Sequence, residues 1–178
     1  MSDFDKAFVH TMSAEGGYVN DPQDAGGETY MGVARNRNSK WDGWVTIDLL
    51  KQKSGFPKNL DSDENLQQQV KALYEANYWD TVQADSINDQ DVANSIFDFA
   101  VNAGVRTSSR LAQLAAGAES DGVIGKKSIE AINSKDPAMF LATFALAKIE
   151  RYIEICKKRP TNRKYFFGWV RRTLEAAQ

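Results

Sequence analysis

Apolar residues recur three and four positions apart through most of this 178-residue chain, and that spacing commits it to packed helices. Phe4, Ala7, Phe8 and Met12 form one such stripe over residues 3–14, and Gly16-Gly17 supplies the stop. Asp61, with Glu64 three residues on, has the pattern of a capping box opening a helix through Leu66, Val70, Leu73 and Asn77 to Trp79. Residues 89–103 carry Val92, Ile96, Phe99 and Ala103 on one face, and Gly104 ends that helix. Shorter helices are predicted over 46–53, 107–116 and 126–133. The longest runs from Asp136-Pro137 to Lys158 with Phe140, Phe144, Ala147 and Ile155 facing inward; Pro160 closes it, and a last helix spans 163–176. One stretch escapes the pattern. Residues 18–45 hold Asn20-Asp21-Pro22, Gly26-Gly27, Gly32 and two tryptophans without a helical period, and read as loops with a short β-hairpin around 27–35.

Composition narrows the chemistry. With 42% hydrophobic and 26% charged residues the chain can build one sizeable core. No run approaches the roughly 18 apolar residues that a membrane-spanning helix needs. The start, Met1-Ser2-Asp3-Phe4-Asp5, is acidic and lacks the cationic and apolar regions of a signal peptide, so synthesis in the cytoplasm is expected. Cys156 and His10 are the only residues of their kinds, which argues against a disulfide, a zinc site, a Cys-His pair and a Ser-His-Asp triad. Catalysis then falls to carboxylates, with no metal and no cofactor implied. Charge is uneven along the chain. From Lys148 to Arg172 nine Lys or Arg face only Glu150 and Glu154, a balance of +7, which against the net −2 leaves −9 elsewhere. That segment reads either as a solvated helix face or as a contact for an anionic polymer; no nucleic-acid motif accompanies it.

Glu15 is the carboxylate best placed for work. It ends the first predicted helix, three positions after Met12, and precedes two glycines that leave its side chain open space. A carboxyl beside apolar surface resists ionisation and can keep a proton near neutrality, as glycosidic cleavage requires of its acid. The run from Glu15-Gly16-Gly17-Tyr18 through Asn20-Asp21-Pro22, Asp24 and Gly26-Gly27-Glu28-Thr29 to Gly32-Val33 resembles the N-terminal signature of glycoside hydrolase family 108. That family comprises bacterial and phage N-acetylmuramidases long labelled secretion activators. The resemblance implies an all-α, lysozyme-like fold with a small β-hairpin beside the catalytic cleft, and makes Glu15 the catalytic residue. Asp98-Phe99-Ala100-Val101-Asn102-Ala103-Gly104 and Asp121-Gly122-Val123-Ile124-Gly125 are similar to the family's C-terminal segment, a predicted peptidoglycan-binding region. Taken alone, the second of these is equally well a tight turn whose two glycines adopt backbone angles that other residues avoid. The organisation expected is a catalytic segment over 1–88 and a helical, wall-binding-like segment over 89–178, packed into one compact unit.

The resemblance implies a substrate, peptidoglycan, cut at the β-1,4 bond between N-acetylmuramic acid and N-acetylglucosamine. A lytic transglycosylase, a wall-binding or secretion-assisting protein without activity, and a chitinase-like or chitosanase-like preference for a different β-1,4 amino sugar polymer are the alternatives. Well-known phage lysozymes place an Asp nine positions after the Glu and a Thr six after that; here Asp24 fits, but Thr29 follows after five. Asp24, Thr29, Asp21 or a backbone group is therefore left to position the attacking water, or Asp24 merely holds the loop, while Glu28 reads as a solvated loop residue. Among aromatic residues able to stack on sugar rings, Tyr18, Tyr30, Trp41, Trp44, Tyr78 and Trp79 compete with plain core packing, and Tyr18 lies nearest Glu15 in sequence. Asn77 and Asn102 are candidates for hydrogen bonds to acetamido groups. The protein is expected to act as a monomer at the cell wall, reached through a holin or another export system.

Overall fold

The computed structural model describes residues 2–12, 16–21 and 26–175. Glu15 and Asp24 lie outside the described residues. The chain is mainly helical and divides into two compact units, Phe8–Asn77 and Met1–Ala7 with Tyr78–Gln178. Helix α1 (Phe4–Met12) begins in one and ends in the other.

The unit Phe8–Asn77 is built on a small antiparallel sheet of β1 (Tyr18–Val19), β2 (Thr29–Tyr30) and β3 (Val33–Ala34), in that order. Tyr18 pairs with Tyr30 and Val19 with Thr29; Thr29 then pairs with Ala34. The expected hairpin is the β2–β3 half, and β1 is the strand that periodicity missed. Helix α2 (Gly43–Leu50) starts earlier than the predicted 46–53, and α3 (Glu64–Tyr74) passes into a π turn over Glu75–Trp79. The cap of α3 is not Asp61. Asp63 takes that role, its side chain accepting from the Leu66 N–H at 2.9 Å, which leaves Asp61 to accept from the Tyr30 hydroxyl at 3.4 Å. Tyr30, Val33, Ile47, Leu60, Leu66 and Val70 are buried together as this unit's core. Tyr30 is fully enclosed, and burial foremost pushes its phenol up to about 12.

The other unit holds α4 (Gln90–Ala103), α5 (Val105–Ala116), α6 (Lys126–Asn133), α7 (Pro137–Lys158) and α8 (Arg163–Glu175). Punctuation works here as the sequence reads. Asp89 caps α4 by accepting from the Asp91 and Val92 N–H groups, Gly104 stops it at φ +88°, and Asp136 caps α7 just before Pro137. Every residue from Ser95 to Ala100 is buried, so α4 is a central helix wrapped on most sides by its neighbours. Trp79, Phe97 and Phe4 pack ring on ring at 5.6–5.8 Å, and the Ser2 hydroxyl donates to the Ile87 carbonyl, which ties the first residues to this unit.

The Asp121-Gly122 element is a turn gripped from below by the buried Gln113. The Gln113 Nε2 donates to Asp121 at 2.8 Å, and its Oε1 accepts from the Gly122 N–H at 2.8 Å. Only Gly122 adopts an unusual angle, φ +84°; Gly125 is extended at φ −129°, so just one glycine is conformationally required. A Cβ at Gly122 would stand 2.8 Å from the Arg106 Cγ. Gly122→Ala is therefore expected to cost about 1–3 kcal/mol. In calorimetry each kcal/mol lowers the midpoint by about 2–4 °C for a chain this long; a wild-type midpoint would refute the strain.

Candidate active site

Gly16 and Gly17, which follow Glu15, are exposed, and a Cβ added to either would meet no atom within 4 Å. The Gly17 carbonyl accepts from the Met31 N–H at 3.4 Å, joining the Glu-Gly-Gly-Tyr run to the far end of β2. Thr29, on that strand, is half-buried and donates its hydroxyl to the Gly27 carbonyl at 3.2 Å. Asp21 is exposed just beyond β1. The sheet therefore brings Tyr18 and Thr29 onto neighbouring strands, with Val19 directly opposite Thr29.

Glu28 is not a solvated loop residue. Its side chain is only 9% exposed and pairs with Arg35 at 2.9 Å and Lys51 at 2.5 Å, while Asp48 pairs with the same two cations at 2.7 and 3.2 Å. Two carboxylates and two cations alternate in one network, and such networks hold geometry better than isolated surface pairs. The network reaches Tyr18. Lys51 Nζ lies 5.9 Å from the Tyr18 ring centre, and Phe56 meets the ring edge-on at 4.8 Å. Burial first, then Glu28, raises the Tyr18 phenol above its ordinary value. Tyr18 is thus oriented on one side by an apolar ring and on the other by charge.

A second feature of this unit is an open cavity of about 610 Å³ lined by Arg37–Asp42 together with Gln69, Ala72, Leu73 and Asn77. Trp41 is its aromatic wall. The Trp41 ring stands edge-on to Trp44 at 5.3 Å and lies against Gly43, where a Cβ would overlap it. Glycine at 43 is what lets the indole lie there. Two residues singled out in the sequence, Trp41 and Asn77, meet here. Arg37, Asn38 and Gln69 join them without any sequence signal, because loop and helix are brought together only by folding. The competing aromatics settle the other way: Tyr30, Trp44 and Trp79 are core residues, at most 4% exposed.

Asn102 belongs to the other unit. It is exposed near the end of α4, its Nδ2 donating to the Asp98 carbonyl at 2.7 Å, and it lines a separate cavity with side chains of α7 and α8. Among the described residues no cluster of three His, Cys, Asp or Glu side chains is placed to hold a metal ion, and no helix is long and apolar enough to cross a membrane.

The cavity with its aromatic wall lies in the same unit as the strand that follows the Glu-Gly-Gly-Tyr run. The chain belongs to the family described as Glycosyl hydrolase 108, whose model matches residues 8–104; the model of a Predicted Peptidoglycan domain follows over 104–174. The structure is similar to that of Brucella abortus SagA, with a TM-score of 0.69 and 26% identity over 98% of this chain and 91% of that one. No curated protein matches the chain.

Proposed function

We propose that this hydrolase is an N-acetylmuramidase in which Glu15 protonates the oxygen leaving N-acetylmuramic acid, while positive charge builds on the sugar ring. Glu15 matches the acid of the family signature, and the observation that supports the assignment is the match of the Glycosyl hydrolase 108 model over residues 8–104, which spans it. Water then attacks, positioned by Asp24, Thr29, Asp21 or a backbone group. Thr29 has its hydroxyl turned to the Gly27 carbonyl, a hydrogen bond that leaves the oxygen able to accept from a water. Tyr18, braced by Phe56 and Lys51, is the aromatic nearest the acid in sequence, and the Trp41 cavity offers a face on which a further sugar of the strand can stack.

Mass spectrometry of purified sacculi digested with the protein is the direct test. New ends are expected to be reducing N-acetylmuramic acid. Products ending in 1,6-anhydro rings would show instead that the sugar's own hydroxyl closes on the reacting carbon, the transglycosylase reaction, and would overturn hydrolysis.

A further inference from the structure

The segment with the strongest positive charge contributes to a built pocket. Helices α4, α7 and α8 enclose a cavity of about 420 Å³ whose charged lining is Asp98, Lys148, Arg151 and Arg172, three cations against one carboxylate. Asp98 is already satisfied, accepting from Arg172 at 2.8 Å. Lys148 is not matched in the same way. It is only 3% exposed, its hydrogen-bond partner among the described residues is the neutral Ser95 hydroxyl at 3.0 Å, and its ammonium lies over the rings of Phe144 and Phe99 at 4.2 and 5.0 Å. The carboxylate facing this ammonium, Asp98, is hydrogen-bonded to Arg172 instead, so Lys148 keeps donors that an anion entering the cavity could use.

We propose that this cavity binds the free carboxylate end of a peptidoglycan stem peptide, with Arg151 and Lys148 gripping the carboxylate. The inference rests on the proposed action on peptidoglycan. A carboxylate suits the lining because a guanidinium matches its two oxygens with parallel N–H donors, and the ammonium supplies a third. The volume suits one or two amino-acid residues. Tyr152 and Trp169, with ring centres 5.2 Å apart and planes 34° apart, give an apolar wall for the terminal residue's methyl group. Desolvation first lowers Lys148 to about 8, so its proton is held near neutrality but is within reach of mild base. The charged groups facing it are Asp98 on α4, Arg172 on α8 and Arg151 on its own helix. Binding of an anion there should weaken as pH rises through 8.

Calorimetric titration of the full chain tests this, with the tetrapeptide L-Ala-γ-D-Gln-L-Lys-D-Ala, whose one carboxylate is terminal, and with the same peptide amidated. The free acid is expected to bind at pH 7, to lose at least tenfold on amidation, and to weaken between pH 7 and 9. Arg151→Ala should lose at least tenfold, and Arg151→Lys less. Equal binding of acid and amide, or wild-type affinity in Arg151→Ala, overturns the pocket. So does inorganic phosphate competing as well as the free acid, which would make it a general anion site. Wall lysis is measured on the same preparations. Wild-type protein that binds the peptide but releases no sugar would refute the muramidase reading alone, and lysis without peptide binding would refute this inference alone.

Discussion

Glu15→Gln is expected to lower wall cleavage by about 10²–10⁴-fold, the usual worth of general acid assistance. Glutamine keeps the size and much of the hydrogen bonding of the side chain but has no proton to deliver to the glycosidic oxygen. A carboxylate that also steadies the positive sugar ring would add to the loss. The spacing from Met12 leads one to expect Glu15 beside apolar surface, where a carboxylate is costly to ionise and an amide is not, so stability should stay level or rise. Turbidity loss of wall suspensions and the thermal midpoint, taken at one pH on both proteins, check the two halves together. Near-normal lysis by folded Glu15→Gln protein would sink the mechanism. A midpoint many degrees lower would show that Glu15 also supports the fold.

The helices were legible because their ends are written in single residues. Gly104, Asp136 and Pro137 each act on the backbone next to them, so reading them needs no knowledge of the tertiary fold. The α3 cap shows the limit: Asp61 and Asp63 are both plausible acceptors, and Asp63 wins while Asp61 accepts from Tyr30. Strands of two residues carry no period, so β1 left no trace in the pattern. What stayed hidden of the site is non-local. Glu28 meets Lys51 across 23 positions, and Arg172 meets Asp98 across 74, so neither pairing has a spacing that sequence reasoning can use. Tyr18 draws attention in the sequence by its place beside Glu15, but its bracing by Phe56 and Lys51 has no sequence signal. The basic segment was legible as charge. That Lys148 within it is buried became visible only once α4, α7 and α8 had packed.

That burial sets up the second large effect, a gain in stability on replacing Lys148 by Met. Desolvation foremost takes the lysine from its ordinary 10.5 to about 8, which corresponds to a penalty of about 3 kcal/mol while the group is charged. At pH 7 it is protonated both folded and unfolded, so the whole penalty applies. Between 8 and 10.5 the unfolded chain binds the extra proton, and stability attributable to this group rises with pH; above 10.5 the penalty is gone. Methionine is unbranched, similar in length, and makes favourable contacts with rings such as Phe144 and Phe99. The change leaves the Ser95 hydroxyl without its donor, a loss of about 1 kcal/mol. The net gain expected at pH 7 is then about 2 kcal/mol, or about 4–8 °C in midpoint. The gap should close as pH climbs from 8 to 10.5, where the wild-type lysine sheds its charge. A mutant that melts below wild type at pH 7, or a gap unchanged at pH 10.5, would show that Lys148 is paid for by contacts its surroundings already supply. If the gap behaves as derived, the same mutant should lose affinity for the free-acid stem peptide. Stability gained with binding lost is the pattern of a charge kept buried for what it holds.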